Sequence, residues 1–94
     1  MALTKKAANQ IVTKIIRALQ AELLQRDRST KMSVTHEHED YIHILIISSM
    51  FNDLSFPQRD NIVWPLLESA LEDHEIVHIS LCLLLTPDEA LVTA

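Results

Sequence analysis

Residues 42–59, IHILIISSMFNDLSFPQR, form the stretch that decides the fold. The first part, residues 42–48, is rich in β-branched side chains and too short to span a membrane, so it predicts a buried central strand. Asn52 and Asp53 then supply the residue types of a turn, and aspartate tolerates the left-handed backbone conformation. The strand therefore leads directly into the element that follows the turn.

A helix is expected after this turn, because Ser55 has the position of an N-cap residue. Its hydroxyl can accept a backbone N–H, Pro57 lies near the first helical position, and Gln58 completes the capping-box spacing. The helical region covers residues 57–73, but Pro65 in its middle lacks an N–H and crowds the preceding turn. We therefore expect two helical pieces, one ending near residue 63 or 64 and the other beginning at Pro65.

Residues 76–85, IVHISLCLLL, predict the third strand, after a charged connector at 72–75. Side chains alternate along an extended chain, and the wholly apolar set is expected to pack on the helices. That set comprises Val77, Ile79, Leu81, Leu83 and Leu85. The set expected to face outward comprises Ile76, His78, Ser80, Cys82 and Leu84. Residues 86–89, TPDE, then have the spacing of a cap, a first-position proline and a capping-box acid for a last short helix.

The N-terminal third completes the predicted order of elements. Residues 3–26 carry apolar side chains every three or four positions and predict one long helix, with Thr4 as its cap. Residues 31–35 form a weak strand, and residues 36–40, HEHED, are the expected tip of an antiparallel hairpin. A crossover through helices makes the last two strands parallel. The predicted fold is a single α+β domain over residues 1–94, in the order α-β-β-α-α-β-α, with a three-stranded mixed sheet and helices packed on one face.

The composition excludes several classes of function. The chain contains no glycine, which removes P-loops, dinucleotide fingerprints and GXXG clamps, because each requires glycine close to phosphate. The single cysteine, Cys82, excludes an internal disulfide and every CxxC site. No serine lies in a glycine elbow, and His78 is the only obvious base near one, so the protein is not expected to be an enzyme.

The charge is unevenly distributed along the chain, although the formal net charge is −5. Up to Lys31 the chain has seven basic and two acidic residues. From Met32 onward it has one basic residue, Arg59, and eleven acidic residues. An acidic body repels phosphate backbones, so nucleic acid is not the expected partner. No apolar run is long enough for a membrane span, and the basic first helix lacks the serines of a transit peptide. We expect a soluble, cytoplasmic protein, with an organelle matrix or stroma left open.

Four short motifs stand in a fixed order along the chain. They are ILIIS at 44–48, FNDLS at 51–55, QRDN at 58–61, and His78 followed by TPDE at 86–89. Their order and spacing resemble the BolA family from the central strand to the last short helix. The chain departs from the family's pattern at Asp53, where glycine is preferred, at Asp60 and Asn61, where His-Arg is usual, and at Ala90, where tryptophan is common. The resemblance is therefore to a divergent member.

The resemblance implies a class II KH-like fold and a non-enzymatic, metal-binding role. BolA proteins pair with monothiol glutaredoxins, share a [2Fe–2S] cluster with them, and act in iron homeostasis and stress response. The resemblance assigns the signature ligand to His78 and a second ligand to the hairpin loop. Asp40 and Tyr41 occupy the usual positions of that second ligand, which leaves His36 and His38 as the candidates. We expect the His78 imidazole to stand in mid-strand on the open face of the sheet, beside the acidic hairpin tip.

The segment after the turn is the expected contact with a partner, through Ser55, Gln58 and Arg59. An alternative interpretation is a KH-like nucleic-acid-binding transcription regulator that uses this segment and the basic first helix. The missing GXXG and the acidic body count against it. A third interpretation is an oligomerisation module, because Leu45 and Ile47 must face away from the core, and an uncovered second face of the sheet favours a homodimer.

Overall fold

The computed structural model describes residues 3–37 and 40–93. The helices in these ranges are α1 (Lys5–Arg26), α2 (Phe56–Ala70), α3 (Asp73–Ile76) and α4 (Pro87–Thr93). The strands are β1 (Lys31–Glu37), β2 (Tyr41–Ile47) and β3 (Ile79–Leu85), and a single 3-10 turn, Ser49–Phe51, follows β2. This order confirms the prediction of an α+β fold. None of the helices within these ranges is long and apolar enough to cross a membrane.

The strand β2 lies in the middle of a mixed three-stranded sheet, as predicted. It pairs antiparallel with β1, from Lys31 opposite Ile47 to Glu37 opposite Tyr41. It pairs parallel with β3, because the chain returns to the sheet through the helices α2 and α3. The two remaining strands, β1 and β3, are therefore the edges of the sheet.

One face of β2 forms the centre of the core. Ile42, Ile44 and Ile46 are fully buried there. The helix α1 covers them with a stripe of side chains spaced three or four residues apart: Ala8, Ile11, Ile15, Leu19 and Leu23. The helix α2 adds Val63 and Leu67. Burying each large aliphatic side chain contributes roughly 1.5–3 kcal/mol, so this layer of helices on the sheet holds the fold together.

The predicted helix caps are confirmed. Thr4 accepts a hydrogen bond from the amide of Ala7 at the start of α1. At the start of α4, the Thr86 hydroxyl accepts from the amide of Glu89, and the Glu89 carboxylate accepts from the amide of Thr86. Asp53 has a φ of 64°, which is the left-handed conformation that its turn requires. These short-range features depend on residues close together in the sequence.

The helix α2 runs unbroken through Pro65, so the prediction of two helical pieces is wrong. A proline inside a helix costs about 3 kcal/mol, because one hydrogen bond is lost and the ring crowds the preceding turn. Val63 and Leu67 lie on either side of the proline, and both are fully buried. Their burial against the sheet offsets this cost. Pro65 and Asn61 are exposed, so water can reach the Asn61 carbonyl that lacks its helical partner.

The third strand begins at Ile79, three residues later than predicted. Residues 73–76 form the short helix α3 instead, and the expected charged connector is partly helical. The cause is a capping box in which the Glu75 carboxylate accepts the amide of Glu72 at 2.8 Å.

The predicted faces of β3 are wrong for Leu81, Cys82, Leu83 and Leu84. Ser80 is an extra residue in β3 that interrupts its register with β2. Beyond this bulge, Cys82 and Leu84 pack toward the core, whereas Leu81 and Leu83 are 45% and 36% exposed. A bulge of one residue reverses the alternation of side chains, so Leu81 and Leu83, which were expected to face the helices, face outward instead. Ile79 lies before the bulge and packs against the core, as predicted.

The second face of the sheet is opposite the buried isoleucines, and we call it the open sheet face. Its residues alternate with the core residues along the three strands: Lys31, Ser33, Thr35 and Glu37 of β1, Tyr41, His43, Leu45 and Ile47 of β2, and Leu81 and Leu83 of β3. Within the described residues, α1 and α2 cover the other face, as expected. The helix α4 differs, because its Pro87, Ala90 and Leu91 line a pocket together with Lys31 and Ile47 of the open sheet face.

Candidate functional site

His78 lies between α3 and β3, not in the middle of a strand as predicted. Its amide donates to the Glu75 carbonyl at 3.1 Å, and its own carbonyl accepts from the amide of Ile42 at 2.9 Å. These two backbone bonds place the residue at the end of the sheet where the β1–β2 hairpin turns. His78 is partly exposed there.

The imidazole of His78 contacts the hairpin turn directly. Its Nδ1 lies 3.2 Å from the backbone oxygen of Asp40. A carbonyl oxygen can only accept, so this bond requires the proton on Nδ1 and leaves the lone pair of the neutral ring on Nε2. Asp40 is held in turn, because its Oδ1 accepts from the amide of Leu3 at 2.7 Å. Metal-binding histidines commonly have this arrangement, with the second ring N–H donated to a backbone carbonyl.

The other described histidines of the hairpin lie on opposite faces of the sheet. His36 belongs to β1 and not to the predicted loop, and it pairs with Ile42 on the face that the helices cover. His43 belongs to the open sheet face. His36 and His78 flank Ile42 from its two sides, so their backbones are about 10 Å apart, twice the strand spacing. The predicted ligand His38 lies outside the described residues.

Within residues 3–37 and 40–93, no group of three or more His, Cys, Asp or Glu side chains is arranged to hold a metal ion. Cys82 packs against the core as a small hydrophobic residue. Burial, with a smaller contribution from the charge of Asp60, raises the pKa of its thiol to about 12. Because the thiolate is the form that binds metals, Cys82 is a poor ligand at neutral pH.

An apolar surface lies beside the His78 site. Tyr41 is 53% exposed and belongs to the open sheet face, together with the exposed Leu81 and Leu83. Tyr41 directly follows Asp40, so this apolar surface starts at the turn that His78 contacts. Exposed apolar side chains grouped on one face of a protein are typical of a site where another protein binds.

The predicted partner-binding residues Ser55 and Gln58 start the helix α2. The Ser55 Oγ accepts from the amide of Gln58 at 3.3 Å, and the Gln58 Oε1 accepts from the amide of Ser55 at 2.8 Å. Both residues are exposed. Their observed contacts are those of a capping box, with each side chain bonded to the other residue's backbone.

Arg59, the third residue of the predicted partner segment, is turned into the protein and is only 5% exposed. It donates to the carbonyls of Leu54 and Leu84 at 3.1 and 3.0 Å. Its Nη1 lies 2.6 Å from the Glu89 carboxylate, and its guanidinium lies 4.6 Å from the centre of the Phe56 ring. The hydrogen bonds from Arg59 hold the pKa of Glu89 below its ordinary value. The Arg59 guanidinium, which was expected to contact a partner, is therefore hydrogen-bonded within its own chain.

Asp27 organises a polar cluster that the sequence analysis did not find. Its carboxylate accepts from the hydroxyls of Ser29, Ser48 and Ser49 at 2.6–2.8 Å. The bonds from Ser29, Ser49 and Ser48, in that order, lower the pKa of Asp27 well below its ordinary value. The spacing of Asp27 and Ser29 was a local signal for an Asx turn, but nothing local indicated the contact with the end of β2.

Glu75 is a second acidic residue whose role was missed. Its side chain is 8% exposed, and its Oε2 lies 2.8 Å from the Lys14 Nζ. Burial favours the neutral acid, but the hydrogen bonds from Lys14 and from the Glu72 amide outweigh it and lower the pKa of Glu75 below its ordinary value. This ion pair fixes α3 on α1, and α3 holds His78 through the Glu75 carbonyl.

Comparisons with protein-family models, with curated proteins and with solved structures find no match to this chain. The structure itself describes the protein as a small α+β domain with a three-stranded mixed sheet. A partly exposed histidine is held at the hairpin turn of this sheet.

Proposed function

We propose that this protein is a non-enzymatic, BolA-like adaptor in iron–sulfur and iron homeostasis. In this role it binds a monothiol glutaredoxin and contributes His78 as a ligand to a shared [2Fe–2S] cluster. The observation that carries the proposal is the contact between His78 Nδ1 and the Asp40 carbonyl at 3.2 Å. The order of the four motifs between residues 44 and 89 supports the choice of family.

The tautomer of His78 suits a ligand. The Nδ1 proton is bonded to the Asp40 carbonyl, so Nε2 is the ring nitrogen whose lone pair can bind a metal. Imidazole nitrogen is a suitable ligand for iron. When bound, the cluster supplies an iron atom that accepts this lone pair. The backbone bonds of His78 to Glu75 and Ile42 hold the residue in place beforehand, which reduces the entropy lost when the ligand bond forms.

A partner that shares the cluster must approach the hairpin end of the sheet. The exposed side chains of Tyr41 and Leu81 lie on the open sheet face, and Tyr41 adjoins the turn that His78 contacts. A few side chains near the centre of a contact contribute most of its affinity, and tyrosine is frequent among them. The net charge of −5 favours a partner whose surface around its own cluster ligands is basic. The second ligand from this chain remains a choice between His36 and His38.

The proposal is tested by mixing the protein with a cluster-loaded monothiol glutaredoxin and recording visible absorption and circular dichroism. We expect the spectrum to change on mixing. The change is lost in the His78→Ala variant and retained in His74→Ala, which removes an exposed histidine of α3 as a matched control. No spectral change with the wild-type protein, or the same change with His78→Ala, rejects the proposal.

Calorimetry with the cluster-free glutaredoxin separates docking from ligation. We expect Tyr41→Asp to weaken this binding by at least about tenfold, because a charge is then buried in an apolar contact. His78→Ala leaves binding of the cluster-free partner nearly unchanged, since the ring acts through the metal. Equal loss of binding in both variants contradicts this division of roles.

A further inference from the structure

The strand β1 is an edge of the sheet with a regular ladder. All seven of its residues pair in sequence with β2, and no described strand pairs with its other side. Proteins commonly protect such an edge with a proline or a β-bulge, because an unpaired strand edge can pair with another chain. The opposite edge, β3, has such a bulge at Ser80. The strand β1 has neither of these features.

The sequence of β1, KMSVTHE, is complementary to itself in the antiparallel direction. If two copies pair with Val34 at the centre, Lys31 of one copy lies opposite Glu37 of the other, and this ion pair occurs twice. In the same register Ser33 lies opposite Thr35. Opposite charges and hydroxyl pairs are among the cross-strand pairs that stabilise antiparallel sheets. A shift of two residues in either direction separates Lys31 from Glu37, so the charges select one register.

An apolar groove lies along the same edge, between α1 and β1. Gln20 and Thr30 contribute polar side chains to its lining, and its volume is about 210 Å³. Its apolar lining consists of Ile16, Leu23 and Leu24 of α1 and of Met32 and Val34 of β1. Apart from the buried Leu23, these side chains are half-buried, with part of their apolar surface in contact with water. A strand added to β1 places its alternate side chains beside this groove. In the self-paired register, Val34 of the second copy lies opposite Val34, and His36 of the second copy lies opposite Met32. Covering this surface adds apolar burial to the backbone hydrogen bonds.

We propose that the chain forms a twofold-symmetric homodimer by antiparallel pairing of β1 with β1 of a second copy, which joins the two sheets into one of six strands. A second copy fits better than an unrelated peptide, because the charges, hydroxyls and central valine of β1 match its own sequence in reverse. Such an isologous contact uses the same residues twice and closes after two copies. The dimer leaves His78 accessible, because His78 precedes β3 at the other edge of the sheet, whereas the candidate ligand His36 takes part in the β1 ladder.

The charge pattern provides a direct test by analytical ultracentrifugation in low salt, where screening is weak. The variants Lys31→Glu and Glu37→Lys each place like charges opposite one another twice, and we expect the dimer dissociation constant to rise at least about tenfold. The double variant Lys31→Glu/Glu37→Lys restores dimerisation. An equimolar mixture of the two single variants also forms a dimer, because each strand then meets only opposite charges.

Cysteine cross-linking then tests the register. In the proposed dimer the two Val34 residues are direct neighbours across the twofold axis, so Val34→Cys forms a disulfide-linked dimer on mild oxidation. Ser33→Cys is the matched control on the same strand: its two copies are offset along the ladder by two residues, roughly 8 Å apart, too far for a disulfide. The wild-type chain, with only Cys82, controls for that thiol.

Three results overturn the proposal. The first is a monomer at every concentration up to the millimolar range. The second is a dimer whose dissociation constant is unchanged in both single charge variants. The third is cross-linking in place of Val34→Cys through Ser33→Cys, which would indicate a different register of β1, or through Leu83→Cys, which would assign the contact to the open sheet face. The charge variants alter exposed residues only, so they remain informative if Val34→Cys does not fold.

Discussion

The Nδ1 atom of His78 lies 3.2 Å from the backbone oxygen of Asp40, although the two residues are 38 positions apart in the chain. The contact joins the segment that precedes β3 to the turn between β1 and β2. This tertiary contact sets the tautomer of His78, because the ring nitrogen nearest the turn must carry the proton that is donated to the Asp40 carbonyl. The nitrogen left with a lone pair is then the one that can bind a metal.

We expect neutral His78 to carry its proton on Nδ1. Long-range proton–nitrogen correlation spectra of the histidine rings distinguish the two tautomers, because protonated and unprotonated ring nitrogens have different chemical shifts. His74 is exposed on α3 and serves as the reference. A neutral His78 ring with its proton on Nε2 contradicts the hydrogen bond to Asp40 and removes the support for ligation.

Replacing Arg59 with alanine should lower the free energy of unfolding by about 3 kcal/mol. The substitution leaves the buried Leu84 carbonyl without its donor and removes the guanidinium that packs on Phe56. Arg59→Met should lower the free energy of unfolding by less than Arg59→Ala does, because the methionine side chain keeps much of the apolar contact. Urea denaturation measures both variants. A loss below about 1 kcal/mol for Arg59→Ala would show that these contacts are not needed for the fold.

The Asp27 cluster should make stability depend on pH in the acid range. The hydrogen bonds from Ser29, Ser49 and Ser48 lower the folded-state pKa of Asp27 below its unfolded value, which is about 4. Its contribution is therefore fully present above that pH and is lost as the pH falls toward the folded-state pKa. Asp27→Asn should be less stable than the wild type at neutral pH, and the difference should shrink steadily below pH 4.

Urea denaturation at a series of pH values measures this difference. Glu68→Gln, an exposed position on α2, is the control and should follow the wild type closely throughout. If the difference between Asp27→Asn and the wild type stays constant from neutral pH to about pH 2, the carboxylate is not the group that stabilises the cluster.

Cys82 should react slowly with thiol reagents while the protein is folded. Burial raises the pKa of its thiol to about 12, so little thiolate exists at pH 8. The higher nucleophilicity of a more basic thiolate offsets part of this effect. We expect alkylation to be on the order of a hundredfold slower in the native protein than in urea. Mass spectrometry of iodoacetamide-treated samples gives both rates, and equal rates would place the thiol in water.

Replacing Pro65 with alanine should stabilise the protein by about 1–2 kcal/mol. Alanine restores the amide that the middle of α2 lacks, and it removes the clash of the proline ring with the preceding turn. Pro57→Ala is the matched control, because Pro57 lies in the first turn, where proline is favourable. The control should leave stability unchanged or lower it. A loss of stability in Pro65→Ala, measured by thermal unfolding, would show that the proline fits α2 without strain.

Part of the fold could be predicted because it depends on residues only a few positions apart. Thr4, Ser55 with Gln58, and Thr86 with Glu89 all cap helices as expected, since each cap joins groups within about one turn. The order of the other elements followed from the same short-range patterns, but α3 lies in the segment that was expected to be a charged connector. The parallel pairing of β2 and β3 followed from the helices between them.

The candidate site was only partly predictable. The motif spacing singled out His78, but its contact with Asp40 joins two segments that nothing local connects. In the same way, Arg59 was expected at the surface, whereas its partner Glu89, 30 residues later, holds it inside. Asp27 was overlooked because two of its three serine partners, Ser48 and Ser49, belong to a distant loop.

The amino-acid sequence by itself determined the α+β class, the starts of α1, α2 and α4, the mixed sheet, and the exclusion of glycine-dependent phosphate sites. Only the tertiary structure decided which face of β3 is buried, whether α2 continues through Pro65, and where the charge of Arg59 lies. The physical reason is the distance along the sequence over which each kind of contact forms. Caps and turns form between neighbouring residues, whereas burial sums contacts from distant segments, so a bulge at Ser80 or the burial of Val63 and Leu67 outweighs the local preference.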